Sequence, residues 1–168
     1  GVEFEKLWGI YKIRANEAWE QTTGATNVIV AVLDSGVEKR HVEFQKNTFI
    51  DSYNATGEEN SFIDLEGHGT HIAGTAAANG RYGKLAGVVW DCPILPVRIS
   101  NAFGNIKLSY VIDGTYYLSK FVEENPQYRM VVNMSFGTRA YNFAFKDAVD
   151  YAINNGVVIV AAAGNNHK

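Results

Sequence analysis

Four segments of the chain are almost unbroken runs of β-branched and other apolar residues: 28–33 (VIVAVL), 94–99 (ILPVRI), 130–134 (MVVNM) and 157–163 (VVIVAAA). A strand with one face in water alternates apolar and polar positions. An unbroken run instead suits a strand covered on both faces, as in a parallel sheet. Between the runs the apolar spacing becomes helical. One helix is predicted over about 68–78, ending at Asn79-Gly80. A second is predicted over 108–124, where Leu108, Val111, Ile112, Leu118, Phe121 and Val122 recur at helical spacing. Asn125-Pro126 stops it, because proline pushes the preceding residue out of helical geometry. A third is predicted over 143–154, with Phe145, Ala148, Val149 and Ala152 as its stripe and Asn155-Gly156 as its close. A shorter helix is expected near 15–21, and the polar stretch 51–60 reads as a surface loop.

Strand-helix-strand alternation with short connections implies a doubly wound, mainly parallel α/β sheet with helices on both faces. In such sheets functional groups collect beyond the carboxyl ends of the strands. That rule directs attention to Asp34-Ser35-Gly36, Ser135-Phe136-Gly137 and Gly164-Asn165. Composition narrows the choice of chemistry. The 168 residues fit one domain, and 46% of them are hydrophobic, enough for a sizeable core. A net charge of -3 with no basic block argues against a nucleic-acid partner. The longest apolar run, 157–163, is of core-strand length, so no membrane span is expected. The opening GVEFEKLWGIYK shows no basic stretch followed by an apolar run, and no signal peptide is seen. Cys92 is the only cysteine, so no internal disulfide can form, and it reads as a small packed residue.

Each candidate residue has a plain structural reading beside a chemical one. Asp34 ends an apolar run and could cap its turn. His68 stands between Gly67 and Gly69 at a helix start, open enough to reach a substrate proton as a general base. The small residues Gly69, Ala73, Gly74, Ala76 and Ala77 equally suit tight packing of a buried helix. Asn165 follows Gly164 as a turn residue would, yet a side-chain amide there can donate to a developing oxyanion. A metal reading would take Asp34, His68 and His71 as ligands. It lacks the glutamate base of the HExxH pattern and leaves Asn165 without a part. A dinucleotide-binding reading shares the architecture, but no G-x-G-x-x-G opens a helix directly after a strand.

Taken together, VAVLDSG, GHGTHIAGT and VVIVAAAGN resemble subtilisin-like serine proteases (the subtilase family), in that family's order of acid, base, then serine. MVVNMSFG resembles the strand and turn lining the family's substrate cleft, and LWGIYKIRANEAW the start of its catalytic domain. The resemblance runs from about Leu7 to Asn165. It implies that Asp34 orients His68, that His68 is the general base and that Asn165 is an oxyanion donor. It implies that Ser135, Phe136 and Gly137 pair with the substrate backbone and wall the primary pocket, with Ala162, Ala163 and Gly164 as another wall. Gly104, Asn105, Ile106 and Lys107 resemble the second substrate edge, with Leu108 near the pocket for the fourth residue upstream of the cut. His71 is implied to be structural. Implied partners are polypeptide substrates, the remaining C-terminal part of the catalytic domain, and a propeptide or inhibitor. The implied location is extracellular or secreted, with a cytoplasmic one left open by the sequence.

The chain also departs from the family. Its serines, Ser35, Ser52, Ser61, Ser100, Ser109, Ser119 and Ser135, lie outside any Gly-Thr-Ser-Met-Ala type motif. Residues 1–168 are therefore read as the N-terminal part of one catalytic domain, without the nucleophile and inactive alone. The strand at 157–163 is expected to lack a neighbour and to expose apolar surface. No cofactor is assigned from the sequence. A structural calcium is the one candidate, at 79–85 (NGRYGKL) beside Glu43, and Arg81 standing where a side-chain oxygen is needed argues against it. Glu66, two residues before His68, would either make the neighbouring subsite acidic or be a solvated carboxylate. Asn54-Ala55-Thr56 fits a glycosylation acceptor. From a different class, a degenerate protease that only grips extended peptides remains an alternative; a Gly-Thr-Ser motif downstream would separate the two.

Overall fold

The computed structural model describes residues 7–59, 63–80, 84–137 and 141–165. Five strands form one sheet: β1 (Val28–Asp34), β2 (Tyr53–Asn54), β3 (Ile94–Arg98), β4 (Arg129–Met134) and β5 (Val157–Ala161). Their order is β2-β3-β1-β4-β5, and every pairing is parallel. The helices are α1 (Trp8–Lys12), α2 (Ala15–Ala18), α3 (His68–Ala77), α4 (Leu108–Glu124) and α5 (Phe143–Asn154).

The central strand shows why its sequence runs apolar without a break. Ile29, Ala31 and Leu33 enter one core with Val111, Leu118 and Val122 of α4 and Ala152 of α5. Val30 and Val32 enter a second core with Ala73 and Ala77 of α3. Successive side chains of a strand point to opposite faces, so both periods must be apolar when both faces are covered. α4 lies very close to the sheet at Gly114, where a Cβ would stand 2.7 Å from Leu33 Cδ1 and 2.9 Å from Val97 Cγ1. Pro96 is tolerated within β3 because it faces the β2 side. There the pairing is confined to Tyr53, Asn54 and a bridge from Phe49 to Ile94.

α3 covers only the β1 and β3 half of its face. Toward the far end of the sheet, Val158 and Val160 of β5 are 56% and 53% exposed, while Val157 is buried under α5. Among the described residues β5 ends the sheet, so the apolar surface expected there is present. Three local expectations need correction. The helix near 15–21 is a single turn, Ala15–Ala18, entered through Arg14 in a left-handed conformation (φ 57). The loop 51–60 contains β2, whose two residues are recruited by Val97 and Arg98. The run 157–163 stops pairing as a strand at Ala161.

Candidate active site

β1 delivers Asp34 to its own carboxyl end, where only 4% of the residue is exposed. The backbone N–H of Ser35 donates to Asp34 Oδ1 at 2.7 Å. α3 begins at His68, after Gly67 in the left-handed region (φ 86). His68 Nδ1 lies 2.7 Å from Asp34 Oδ1. An ionised carboxylate can only accept, so Nδ1 carries the proton and Nε2 is left as the ring's acceptor. The imidazole side chain is 53% exposed, so Nε2 belongs to an accessible ring. The hydrogen bond to Asp34 raises the His68 pKa above its ordinary value. Partial burial opposes the rise, and the charges of Asp34, Glu66 and Asp64 add to it.

This contact depends on a close approach that only glycine permits. A Cβ on Gly69 would stand 2.2 Å from the carbonyl oxygen of Gly36 and 3.1 Å from Asp34 Cβ. The first turn of α3 therefore rests directly on the turn that follows β1. Asp64 fixes that position. Its Oδ1 accepts from Ser35 Oγ (2.8 Å), Glu66 N (3.0 Å) and Gly67 N (2.8 Å). Its Oδ2 accepts from Thr70 N (2.8 Å) and Thr70 Oγ1 (2.6 Å). Ser35 Oγ in turn accepts from Gly69 N at 2.9 Å. Burial pushes the Asp64 pKa up, but hydrogen bonds from Thr70, Gly67 and Ser35 outweigh it and the net shift is downward. An anion at the start of a helix also complements the exposed N–H groups there.

The other predicted residues lie along the same rim. β1, β4 and β5 are adjacent and parallel, so their carboxyl ends bring Asp34, Ser135 and Asn165 to one side of the sheet. Ser135 Oγ accepts from Asn133 Nδ2 at 2.7 Å. Ala162 remains tied to β4 through its N–H and the Met134 carbonyl, 3.1 Å. Ala162, Ala163, Gly164 (φ 88) and Asn165 are exposed. Gly104 (φ 76) turns a loop in which Asn101 Oδ1 accepts from Phe103 N and Asn105 N, 3.0 and 2.9 Å. Asn105, Ile106 and Lys107 emerge exposed, and Leu108 opens α4. Ile106 and Leu108 share a cavity of about 220 Å³ with Val111, Phe136, Gly137 and Phe145. The two predicted substrate edges therefore flank one depression.

Three features went unseen in the sequence. Asp64 drew no notice, and Val111 and Phe145 read only as core stripe. A third is an ion pair between buried Arg98 and half-buried Glu58 beneath the 100–106 loop. Arg98, 2% exposed, donates Nε to the Ser100 carbonyl at 2.7 Å and Nη2 to Glu58 Oε2 at 2.8 Å. Glu58 Oε2 also accepts from Ala102 N at 3.0 Å. His71 does not join Asp34 and His68. It lines a separate cavity of about 430 Å³ with His41, Glu38 and Glu43. Among the described residues no group of three or more His, Cys, Asp or Glu is placed to hold a metal ion. Arg81, and Ser61 with it, lie outside the described residues.

A buried carboxylate, a half-exposed imidazole and an exposed carboxamide thus lie at the carboxyl rim of one parallel α/β sheet. The chain belongs to the subtilase family, whose model matches residues 25–168. It is 37% identical over 162 residues to the major intracellular serine protease of Bacillus subtilis (strain 168), covering 94% of this chain and 49% of that protein. It is 36% identical over 151 residues to a thermophilic serine proteinase from Bacillus sp. (strain AK1), covering 89% of this chain and 36% of that protein. Among solved structures, Sphericase superposes with a TM-score of 0.78 at 31% identity, covering 88% of this chain and 49% of that one. The S41 psychrophilic protease gives 0.75 at 31% identity, covering 84% and 47%. The chain thus spans about half the length of these relatives, or less. One relative is intracellular by name, so family membership alone does not place the chain outside the cell.

Proposed function

We propose that this chain supplies the acid, the base and one oxyanion donor of a subtilisin-type serine endopeptidase, and that the nucleophilic serine comes from the remaining part of the catalytic domain. The observation that carries the reading is the 2.7 Å contact between buried Asp34 and half-exposed His68. Asp34 fixes the tautomer, so Nε2 faces the incoming alcohol unprotonated. His68 Nε2 accepts the serine proton as the oxygen attacks the peptide carbonyl, and Asp34 stabilises the imidazolium that results. The imidazolium then protonates the leaving amine. Water repeats the sequence to release the acid product. The Asn165 amide donates to the oxyanion of each tetrahedral intermediate. Extended substrate lies between 104–107 and 135–137 with Leu108 beside its fourth upstream residue, and 162–164 bounds the primary pocket. A propeptide or inhibitor would enter the same groove.

Among the described residues no serine hydroxyl is hydrogen-bonded to the His68 ring. Ser35, Ser100 and Ser135 are engaged by Asp64, Glu66 and Asn133 respectively. This supports a nucleophile from outside these residues. Calcium forms no part of the proposal. Both oxygens of Glu43 accept backbone N–H groups, from Lys84 (2.7 Å) and Leu85 (3.0 Å), an arrangement that needs no cation; calcium would demand six to eight oxygen ligands.

A fluorophosphonate probe tests the reading. It should leave residues 1–168 unlabelled and label one serine in the longer polypeptide that contains them. Labelling of any serine within 1–168, or a longer polypeptide that neither labels nor cleaves peptides, would overturn it. The second outcome would favour a module that only binds peptides.

A further inference from the structure

The edge that carries 104–107 stands away from the sheet, with Ala102 through Lys107 all exposed. Its own hydrogen bonds close it as a small hairpin. Asn101 N donates to the Asn105 carbonyl (3.1 Å), Gly104 N donates to the Asn101 carbonyl (3.0 Å), and Ser100 bridges antiparallel to Ile106. Glu58 and Arg98 tie this hairpin to the sheet. The guanidinium, buried at the end of β3, donates to the Ser100 carbonyl and to Glu58 Oε2. The carboxylate accepts from Ala102 N through both oxygens, at 3.2 and 3.0 Å. Residues 100 and 102 are thus gripped by the two halves of one ion pair. Glu58 is itself held from β2. Asn54 Nδ2 donates to its carbonyl at 2.9 Å, and its N–H donates to Thr56 Oγ1 at 3.2 Å. Asn54 Oδ1 accepts from Thr56 N and Thr56 Oγ1, 3.0 and 2.8 Å. The Asn54-Ala55-Thr56 triplet, which fits a glycosylation acceptor in the sequence, is here the turn that presents Glu58.

We propose that Glu58 is a positioning residue for substrate binding: through Arg98 and the Ala102 amide it holds the 104–107 edge ready for an extended peptide. The inference rests on the protease reading above and deepens it. A peptide that docks on an exposed strand edge does so through backbone hydrogen bonds, and it binds more tightly when the edge is already ordered. A carboxylate is well suited to impose that order, because hydrogen bonds to an ionised group are the stronger ones. The pair lies beneath the loop, with side chains 32% exposed for Glu58 and 2% for Arg98. It shares no hydrogen bond with the Asp34–His68 contact, so loosening the edge leaves the acid and base in place. The simpler alternative is that Glu58 only neutralises Arg98, whose charge would otherwise be buried unpaired. That accounts for the guanidinium contact and not for Ala102. It predicts lost stability with the same preference for long substrates.

The test uses the longer polypeptide that contains residues 1–168, with active sites counted by fluorophosphonate labelling so that unfolded protein does not enter the rates. Two substrates share one primary residue: an N-acetyl amino-acid ester, which fills the primary pocket alone, and a longer peptide amide, which also lies along 104–107. Glu58→Ala should lower the peptide-to-ester ratio of kcat/KM by about fivefold, mainly through KM, because the edge must then be ordered at the moment of binding. Glu58→Asp, one methylene too short to span both contacts, should fall likewise, and it carries the test if Glu58→Ala does not fold. Glu58→Gln keeps an acceptor oxygen at both contacts and should retain most of the ratio. Amide exchange at 105–107 should quicken in Glu58→Asp while that of β1 is unchanged. A wild-type ratio or unchanged exchange in Glu58→Asp, or a Glu58→Gln ratio that falls as far as that of Glu58→Asp, overturns this inference and leaves the protease reading standing. A wild-type polypeptide that neither labels nor cleaves either substrate overturns both.

Discussion

Gly69→Ala tests how the site is assembled. The added methyl would lie 2.2 Å from the Gly36 carbonyl oxygen. Comfortable carbon–oxygen contact is roughly 3.3 Å, so relief needs a displacement of about 1 Å. The obstacle is backbone, and no rotamer change removes it. Overpacking of this kind costs about 1–3 kcal/mol, and the helix-propensity gain of alanine over glycine offsets at most about 1 kcal/mol. A net loss of about 1–2 kcal/mol corresponds to roughly 3–6 °C in Tm for a chain of this size. The same displacement would stretch the 2.7 Å Asp34–His68 contact beyond hydrogen-bonding range. His68 should then lose the upward pKa shift that the bond gives it. Circular-dichroism melting and an NMR titration of the imidazole read the two effects. Gly9→Ala, where a Cβ meets nothing within 4 Å, is the control and should not destabilise. A Gly69→Ala protein with wild-type Tm and wild-type His68 titration would refute the reasoning.

Asp34→Asn should lower the His68 pKa toward its ordinary value, because the hydrogen bond to the carboxylate is the main cause of the rise; an NMR titration indistinguishable from wild type would refute this. Since the folded-state pKa is raised, the pair stabilises the protein fully below the unfolded imidazole value of about 6.5 and loses that contribution as pH climbs through the folded value. Urea titrations across that window should show the decline in wild type and a flatter profile in Asp34→Asn. Asp64→Ala should cost about 2–4 kcal/mol in urea unfolding, since five donors lose a partly buried charged acceptor. With its folded pKa lowered, the Asp64 contribution is present above the unfolded carboxylate value and fades as pH falls through the folded one. In the longer polypeptide, Asn165→Ala should lower kcat by about 10²–10³-fold with KM little changed, a magnitude carried over from this family rather than worked from this structure; a loss under tenfold would argue against the oxyanion assignment.

What could be read from the sequence followed from signals that are local. α4 and α5 were bounded correctly because an amphipathic stripe and a stop at Asn125-Pro126 or Asn155-Gly156 act within one or two turns. The central strands were legible because burial on both faces forces unbroken apolar runs. α1 escaped notice because it buries only Ile10 and has no side-chain cap. β2 exists only through pairing with a strand some forty residues later, and two residues carry no period. The Asp64 and Glu58 networks bridge segments 29 and 40 residues apart, as with Ser35 to Asp64 and Glu58 to Arg98. No nearby pattern announces such partners. The Asp34–His68 pairing was legible only because several motifs were weighed together. Each alone would also have fitted a turn cap or a packed helix.

Asp34 ends the middle strand of the sheet, paired there with Arg98 of β3, while β4 pairs with the strand as far as Val32. Hydrogen-bonded neighbours on both flanks hold the body of β1 firmly, and its amide protons should be among the slowest to exchange. The imidazole instead rides on a helix tip seated on the sheet through glycine and alanine. Evolutionary adjustment of working temperature would therefore fall on the Gly69, Ala73 and Ala77 seam, which can loosen or tighten the base while the acid stays anchored.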